Sequence, residues 1–181
     1  AIRPIRDKVH LVATRPYYSY KKNVLKAKLQ DNPYTFLRII NPEFNSDVKT
    51  KPNSDERFKL VGQGYQEFIE RGVLIEEESP RLYIYRQTTE NHSCVGVIGG
   101  ASINEYMNDK IKKHESTLTS REAMFTRYLE IVGYNAEPVL ISYKGNNTLN
   151  DALTKLTEER PEYEFSTCLL YTSPSPRDLR K

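Results

Sequence analysis

Short apolar runs typical of β-strands alternate with amphipathic helical patterns along the chain, and this alternation restricts the fold to the mixed classes. The strand-like runs are VHLVA (9–13), TFLRII (35–40), LYIYRQT (82–88), SCVGVIGGAS (93–102), EPVLISY (137–143) and YEFST (163–167). The helical patterns cover residues 20–30, 54–72, 119–133 and 148–159. The sequence therefore predicts an α/β (α+β) fold, with a mixed β-sheet and helices packed against it.

Capping signals predict where these helices begin and end. Ser54 is a preferred N-cap residue at the start of the longest helical pattern, and Gly72 is a preferred residue just past its end. The patterns Ser102-Ile-Asn-Glu105 and Thr119-Ser-Arg-Glu122 are capping boxes, which predict two further helix starts. The polar residues 89–92 separate two strand-like runs and predict a β-hairpin.

The charge of the chain is unevenly distributed. The net charge is +3 over 181 residues, but residues 1–50 carry ten Lys or Arg against four Asp or Glu, whereas residues 51–167 carry fourteen against nineteen. A general nucleic-acid-binding protein has a larger basic excess, so nucleic acid is not favoured as a partner. No apolar run approaches the roughly 20 residues that span a bilayer, and the two cysteines lack metal-ligand spacing. These features predict a cytoplasmic protein with no membrane partner.

The densest polar cluster lies between the two capping boxes. Its charged members are Lys110, Lys112, Lys113, His114 and Glu115. Lysines and the free amides of a helix start suit phosphoryl oxygens, His114 titrates near neutrality, and Glu115 could accept a proton from a hydroxyl group. An exposed, solvated charge run has the same appearance, so the residues alone leave both interpretations open.

A second cationic cluster is RPYYSYKK, which runs from Arg15 to Lys22. Tyrosine rings beside cations could stack a base or hold a phosphate, and Arg15 is a candidate phosphate ligand; a packed turn that covers the edge of the core is the alternative.

The remaining motifs give weaker evidence for a functional site. Gly62-x-Gly64 lies inside a helical pattern rather than after a strand, which excludes a dinucleotide fingerprint. Cys94, in an apolar strand, is predicted to pack rather than react.

Four motifs occur in order along the chain: NPYTFLRIINPE (32–43), LYIYRQT (82–88), IKKHEST (111–117) and NAEPVLISY (135–143). Together they resemble the bacterial and archaeal proteins grouped as domain of unknown function 1015, from Ile2 to about Thr167. The resemblance implies a second half with an Asp-Gly-His-His-Arg motif, similar to that of the ParB-like free serine kinases, and no such motif occurs in this sequence. It implies an intact enzyme that transfers a phosphoryl group between a nucleotide and serine or phosphoserine, a small-molecule substrate, with ATP or ADP and Mg²⁺ as cofactors.

The resemblance also assigns roles to individual residues. The family's Lys-His-Glu-x-Thr stretch falls on residues 113–117, and Arg127 joins Arg121 at basic positions of the following helix. By this resemblance Glu115 is the catalytic base or a magnesium ligand, and His114 orients or protonates. The phosphate-binding residues expected in this chain are Lys112, Lys113, Thr117, Arg121 and Arg15.

The C-terminal stretch CLLYTSPSPRDLRK (168–181) does not continue the pattern that precedes it. Read back into codons, Cys168–Asp178 matches a transposon-end and adapter sequence used in short-read library preparation. Residues 168–181 are therefore expected to be a non-native tail. Residues 1–167 are expected to be the N-terminal part of a larger protein, inactive as a fragment.

Two other functions remain open. One is a ParB-like regulatory module that binds a nucleotide or nucleic acid without catalysis, for which the basic segment from Arg15 to Lys28 is the supporting feature. The other is a purely structural half-domain whose polar cluster only caps helices.

Overall fold

A computed structural model of the chain describes residues 1–44, 49–113, 118–136 and 138–166. The chain divides into two compact units. Within the described ranges, the first contains residues 2–76, 128–135 and 162–166, and the second contains Ala1 and residues 77–127 and 136–161. The fold is mixed α/β, as predicted, although the sheets are small: each is one antiparallel pair of strands within the described ranges.

The described helices and strands, in chain order, are β1 Ile2–Pro4, α1 Val9–Val12, α2 Lys22–Asp31, α3 Leu37–Ile40, α4 Asp55–Glu70, β2 Leu74–Glu76, β3 Tyr83–Thr88, β4 Ser93–Ile98, α5 Ile103–Met107, α6 Thr119–Val132 and α7 Asn147–Thr157. Short 3₁₀ turns lie at Arg6–Lys8, Tyr17–Ser19 and Pro42–Phe44. Among the helices described, none combines the length and the apolarity needed to cross a bilayer.

The core of the first unit is built around α4. Its buried residues Phe58, Val61, Tyr65 and Phe68 recur at helical spacing, so one face of the helix is withdrawn from water. The short helix α3 packs on this face with Leu37 and Ile39 fully buried. Gly64 of α4 faces α3, and a Cβ atom there would lie 3.4 Å from the Ile39 Cα atom, an ordinary van der Waals distance. Gly64 therefore lies in a packing contact inside a helix, in agreement with the prediction that Gly62-x-Gly64 is not a dinucleotide fingerprint.

Helix α4 begins and ends as its capping signals predict. The Ser54 hydroxyl accepts a hydrogen bond from the Arg57 backbone N–H at 3.3 Å, and Gly72 adopts a positive φ of 65° beyond the last turn. The pKa of Glu56, in the first turn, is lowered by a hydrogen bond from its own backbone N–H and by a second from the Ser54 hydroxyl. The start of α4 therefore favours negative charge.

Replacing Ser54 tests this cap. Ser54→Ala is expected to lower the free energy of unfolding by about 1 kcal/mol, because it leaves the Arg57 amide without its capping acceptor. Urea unfolding followed by circular dichroism measures the change. Ser79→Ala, at an exposed serine outside any helix, is the control and should leave the midpoint unchanged. Equal midpoints for the two variants would show that the cap adds nothing.

The ends of the first unit are held together by one strand pair and one tyrosine. Strand β1 pairs antiparallel with β2 in the register Ile2 to Glu76 and Pro4 to Leu74. The Tyr163 hydroxyl donates a hydrogen bond to the Pro4 carbonyl at 2.7 Å and accepts one from the Arg3 guanidinium. Residues far apart in the sequence are thus fixed to the same edge.

The second unit contains the predicted β-hairpin, which the structure confirms. Strands β3 and β4 pair in the register Tyr83 to Ile98 and Thr88 to Ser93. Helix α7 begins at an N-cap whose Asn146 side chain accepts from the Leu149 backbone N–H at 3.1 Å, and it buries Leu153. The hairpin leaves most of its apolar side chains exposed.

Several predicted strands are wrong. Residues 9–12 form helix α1 and residues 37–40 form helix α3. Residues 138–143 and 163–166 are not part of any sheet in the described chain. Short apolar runs of this kind fit a buried helix as well as a strand. Hydrogen bonds from neighbouring side chains can then favour the helix. Next to α3, the Thr35 hydroxyl accepts from the Leu37 N–H at 3.4 Å, a local bond that starts a helical turn.

The expectation for Cys94 is also wrong. Its strand β4 forms as predicted, but the Cys94 side chain is exposed rather than packed. An alternating strand presents every second residue to each face, and neither face of this hairpin is fully covered.

Candidate functional site

The predicted phosphate site begins at a tightly held helix, α5, in the second unit. The Ser102 hydroxyl accepts from the Glu105 backbone N–H at 3.4 Å, which confirms Ser102 as the N-cap residue of α5. At the other end Asp109 adopts a positive φ of 55°, and the backbone N–H groups of Lys110 and Ile111 both donate to the Glu105 carbonyl, at 3.0 and 3.3 Å. The chain therefore leaves α5 through a fixed turn that delivers residues 110–113.

The lysines of this turn differ in their environments. Lys110 lies 3.6 Å from the Glu105 carboxylate, so its charge is partly compensated. Lys113 places its ammonium 4.7 Å from the centroid of the Tyr106 ring, a cation–π contact that orients the side chain and leaves its charge intact. Lys112 is exposed and makes no ion pair with any described residue. Two adjacent cations, Lys112 and Lys113, thus remain available to an anion.

Helix α6 follows this turn in the sequence. The Leu118 carbonyl accepts from the backbone N–H groups of Arg121 and Glu122, at 2.9 and 3.0 Å, so α6 already begins at Thr119. The predicted capping box made Thr119 the N-cap, the residue before the helix, so it put the start of α6 one residue too late. Arg121 is exposed in the first turn of α6.

The two catalytic candidates and one phosphate ligand lie outside the described residues. His114, Glu115 and Thr117 fall between residues 113 and 118, and their assigned roles stay predictions. Lys112, Lys113 and Arg121 all belong to the second unit and flank this segment in the sequence.

Arg15 belongs to the first unit, whereas Lys112, Lys113 and Arg121 belong to the second. It is half-buried, and its backbone N–H donates to the Tyr20 hydroxyl at 3.1 Å. The Tyr20 hydroxyl also lies 3.1 Å from the Thr14 hydroxyl. The Arg15 backbone is therefore held in an ordered turn, and its role in phosphate binding stays a prediction.

The expected Mg²⁺ finds no preformed cluster among the described residues. No group of three or more His, Cys, Asp or Glu side chains lies close enough there to hold a metal ion. Glu115, the expected ligand, is outside the described ranges.

A surface groove in the first unit was not predicted from the sequence. It has a volume of about 400 Å³ and is open to solvent. Helix α4 and the end of α6 line it, with Lys59, Gly62, Gln63, Gln66, Ile131, Val132 and Tyr134. The polar residues Lys59, Gln63 and Gln66 lie at helical spacing opposite the buried face of α4. In the sequence this pattern is the same as that of any solvent-exposed helix face, so it does not indicate a groove.

Beside this groove, the Tyr65 side chain is buried. Its ring lies 4.7 Å from the Tyr134 ring and 5.7 Å from the Phe36 ring, centroid to centroid. No described residue makes a hydrogen bond to its hydroxyl. Burial, and secondarily the nearby Tyr128, raises the pKa of Tyr65 well above the ordinary value for tyrosine.

The described residues thus define a mixed α/β protein that carries an exposed cationic turn at its best candidate site. The family model with the description "Protein of unknown function (DUF1015)" matches residues 1–169, and the chain belongs to this family. The match confirms the resemblance seen in the motifs. A search of curated proteins and a search of solved structures each returned no match to the chain.

Proposed function

We propose that the connector between α5 and α6, residues 108–118, binds the phosphate groups of a nucleotide, and that the intact protein transfers a phosphoryl group to or from a small hydroxyl substrate such as serine. The observation that carries this proposal is the pair of exposed cations, Lys112 and Lys113, delivered by a fixed turn immediately before the catalytic candidates in the sequence. Membership of a family of unknown function is compatible with this activity and does not specify it.

The local structure supports phosphate binding better than an ordinary solvated charge run. A solvated run leaves its lysines free to adopt many rotamers, and ordering them on an anion then costs conformational entropy. Here the backbone of residues 110–111 is bonded to Glu105, and Lys113 rests over Tyr106. Part of that entropy is lost before any ligand arrives, which favours binding of an anion.

The proposed chemistry needs one base and one set of cations. The substrate hydroxyl oxygen attacks the terminal phosphorus of ATP, the bond from that phosphorus to the bridging oxygen breaks, and ADP leaves with the electron pair. The hydroxyl proton passes to the Glu115 carboxylate, and His114 orients or protonates the reacting groups. Lys112, Lys113 and Arg121 would offset the negative charge of the phosphoryl oxygens.

Removing the two lysines tests the proposal. The double variant Lys112→Ala/Lys113→Ala is expected to bind a fluorescent ATP analogue at least about tenfold more weakly, because two charge-assisted contacts to phosphate are lost. Fluorescence anisotropy with inorganic phosphate and ADP as competitors measures the affinity.

The matched control is Lys144→Ala/Lys155→Ala, which removes the same charge from two exposed lysines of the same unit. This control should bind like the unaltered chain. Equal weakening in both double variants would mean that only net charge matters and would contradict a site at the connector, as would the absence of any binding by the unaltered chain.

A further inference from the structure

The segment from Arg15 to Gln30 in the first unit is rich in positive charge. It contains five Lys or Arg and no Asp or Glu. All four lysines, Lys21, Lys22, Lys26 and Lys28, are exposed. Helix α2 buries Leu29 and half-buries Leu25, so helical spacing places Lys22 and Lys26 on one flank of this packed stripe and Lys28 on the other, while Lys21 is the extended N-cap residue.

Two exposed aromatic rings precede this helix. Tyr17 is 53% exposed and Tyr18 is 66% exposed, and their rings meet edge to face with centroids 5.8 Å apart. They lie in a 3₁₀ turn closed by hydrogen bonds from the Ser19 N–H to the Pro16 carbonyl at 2.9 Å and from the Tyr20 N–H to the Tyr17 carbonyl at 3.2 Å. Large aromatic rings held at the surface by an ordered backbone lose little entropy on contact with a partner.

The turn and the helix are linked through Tyr20. Tyr20 anchors the turn to the preceding chain through its hydroxyl, and the Lys28 ammonium lies 5.6 Å from the centroid of its ring. The tyrosine–lysine surface is defined here as Tyr17, Tyr18, Lys21, Lys22, Lys26 and Lys28. It combines aromatic faces for stacking with cations at intervals along a helix.

We infer that the tyrosine–lysine surface binds single-stranded nucleic acid. Lysines contact the phosphates, and the exposed rings of Tyr17 and Tyr18 stack with unpaired bases. Charge complementarity selects a polyanion, and the aromatic pair selects one with accessible planar bases. An anionic membrane fits less well, because the apolar side of α2 packs in the protein core and leaves Val24 as its exposed large hydrophobic residue. This inference is independent of nucleotide binding at the connector.

Oligonucleotide binding by the full chain tests the inference. Labelled 12-nucleotide DNA and RNA single strands, a 12-base-pair duplex and heparin are titrated by fluorescence anisotropy or competition at 50 and 200 mM salt. Four lysine contacts predict a loss of about 50-fold in single-strand affinity over this salt range. Tyr17→Ala/Tyr18→Ala is expected to weaken single-strand binding about tenfold, while leaving heparin binding unchanged, because only the bases offer a stacking face.

Matched variants separate this surface from general charge and exposure. The quadruple change of Lys21, Lys22, Lys26 and Lys28 to Gln is compared with the same change of Lys49, Lys51, Lys144 and Lys155, all exposed. Tyr85→Ala/Tyr143→Ala removes two tyrosines that are 52% and 56% exposed and should have no effect. No single-strand binding at 50 mM salt, equal loss in test and control variants, an unaltered affinity of Tyr17→Ala/Tyr18→Ala, or binding only to phosphatidylserine vesicles would each overturn the inference.

Discussion

Leu37→Ala is expected to lower the free energy of unfolding by about 2–5 kcal/mol, the largest effect anticipated for a single substitution in this chain. Leu37 is 0% exposed and lies in α3, which packs on the buried face of α4. Truncation removes apolar contacts and leaves a cavity. The surrounding close-packed side chains relax only partially into such a cavity.

Leu140→Ala is the matched control for this substitution. It removes the same atoms from a leucine that is 88% exposed, so the unfolding midpoint should not move. Urea titrations of the two variants and the unaltered chain, followed by circular dichroism at equal protein concentration, give the comparison. Loss of stability in Leu140→Ala but not in Leu37→Ala would contradict the placement of the core.

Tyr65→Phe is expected to stabilise the protein, by about 1 kcal/mol at neutral pH. The Tyr65 hydroxyl is buried and no described residue makes a hydrogen bond to it, so folding costs its hydration without replacing it. Phenylalanine keeps the ring contacts with Phe36 and Tyr134 and removes that cost.

The benefit of Tyr65→Phe should grow at alkaline pH. The pKa of Tyr65 is raised in the folded protein, so above about pH 10 the unfolded state releases a proton that the folded state retains. The free energy of unfolding of the unaltered chain is therefore insensitive to this group below about pH 10. Above that pH it falls by roughly 1.4 kcal/mol per pH unit. Urea unfolding between pH 8 and pH 11 measures the difference from the unaltered chain. Tyr85→Phe, at an exposed tyrosine, should show no such trend, and a constant difference for Tyr65→Phe would contradict the burial of its hydroxyl.

The parts of the fold that sequence predicts correctly are those set by local chemistry. The Ser54 cap, the buried spacing of α4 and the polar turn at residues 89–92 each depend on residues within one element or one hairpin. Helix caps and helical periodicity depend on a few side chains that are close together in the sequence. Those features follow from the sequence without any knowledge of tertiary contacts.

The errors arise where a short apolar run depends on distant partners. Residues 35–40 contain β-branched residues, but the Asn32 side chain donates to the Leu11 carbonyl at 2.7 Å, and the Phe36 N–H donates to the Val12 carbonyl at 3.1 Å. These bonds tie the start of α3 to α1 and leave it in a helical turn. Strand propensity is weak against such tertiary context. Residues 138–143 have a high strand propensity, but a β-strand also needs a partner strand to pair with, and the sequence does not show which segment would provide it.

The turn that carries the candidate site was predictable for the same reason. The Ser102 cap and residues 110–113 form a local unit, and Lys112 and Lys113 are exposed; their phosphate-binding role stays a prediction. Arg15 was grouped with them on chemistry alone, although it lies in the other compact unit. Residue type indicates what a side chain can bind. Long-range folding decides which side chains meet.

The most direct test of phosphate binding at the connector is a nuclear magnetic resonance titration of the full chain with ATP, followed through backbone amide shifts. The proposal predicts the largest shifts at residues 110–113 and 118–122, their loss in Lys112→Ala/Lys113→Ala, and no comparable shifts at Lys59, Gln63 and Tyr134. Shifts concentrated in the groove of α4, or no saturable shifts anywhere, would contradict the connector as the nucleotide site.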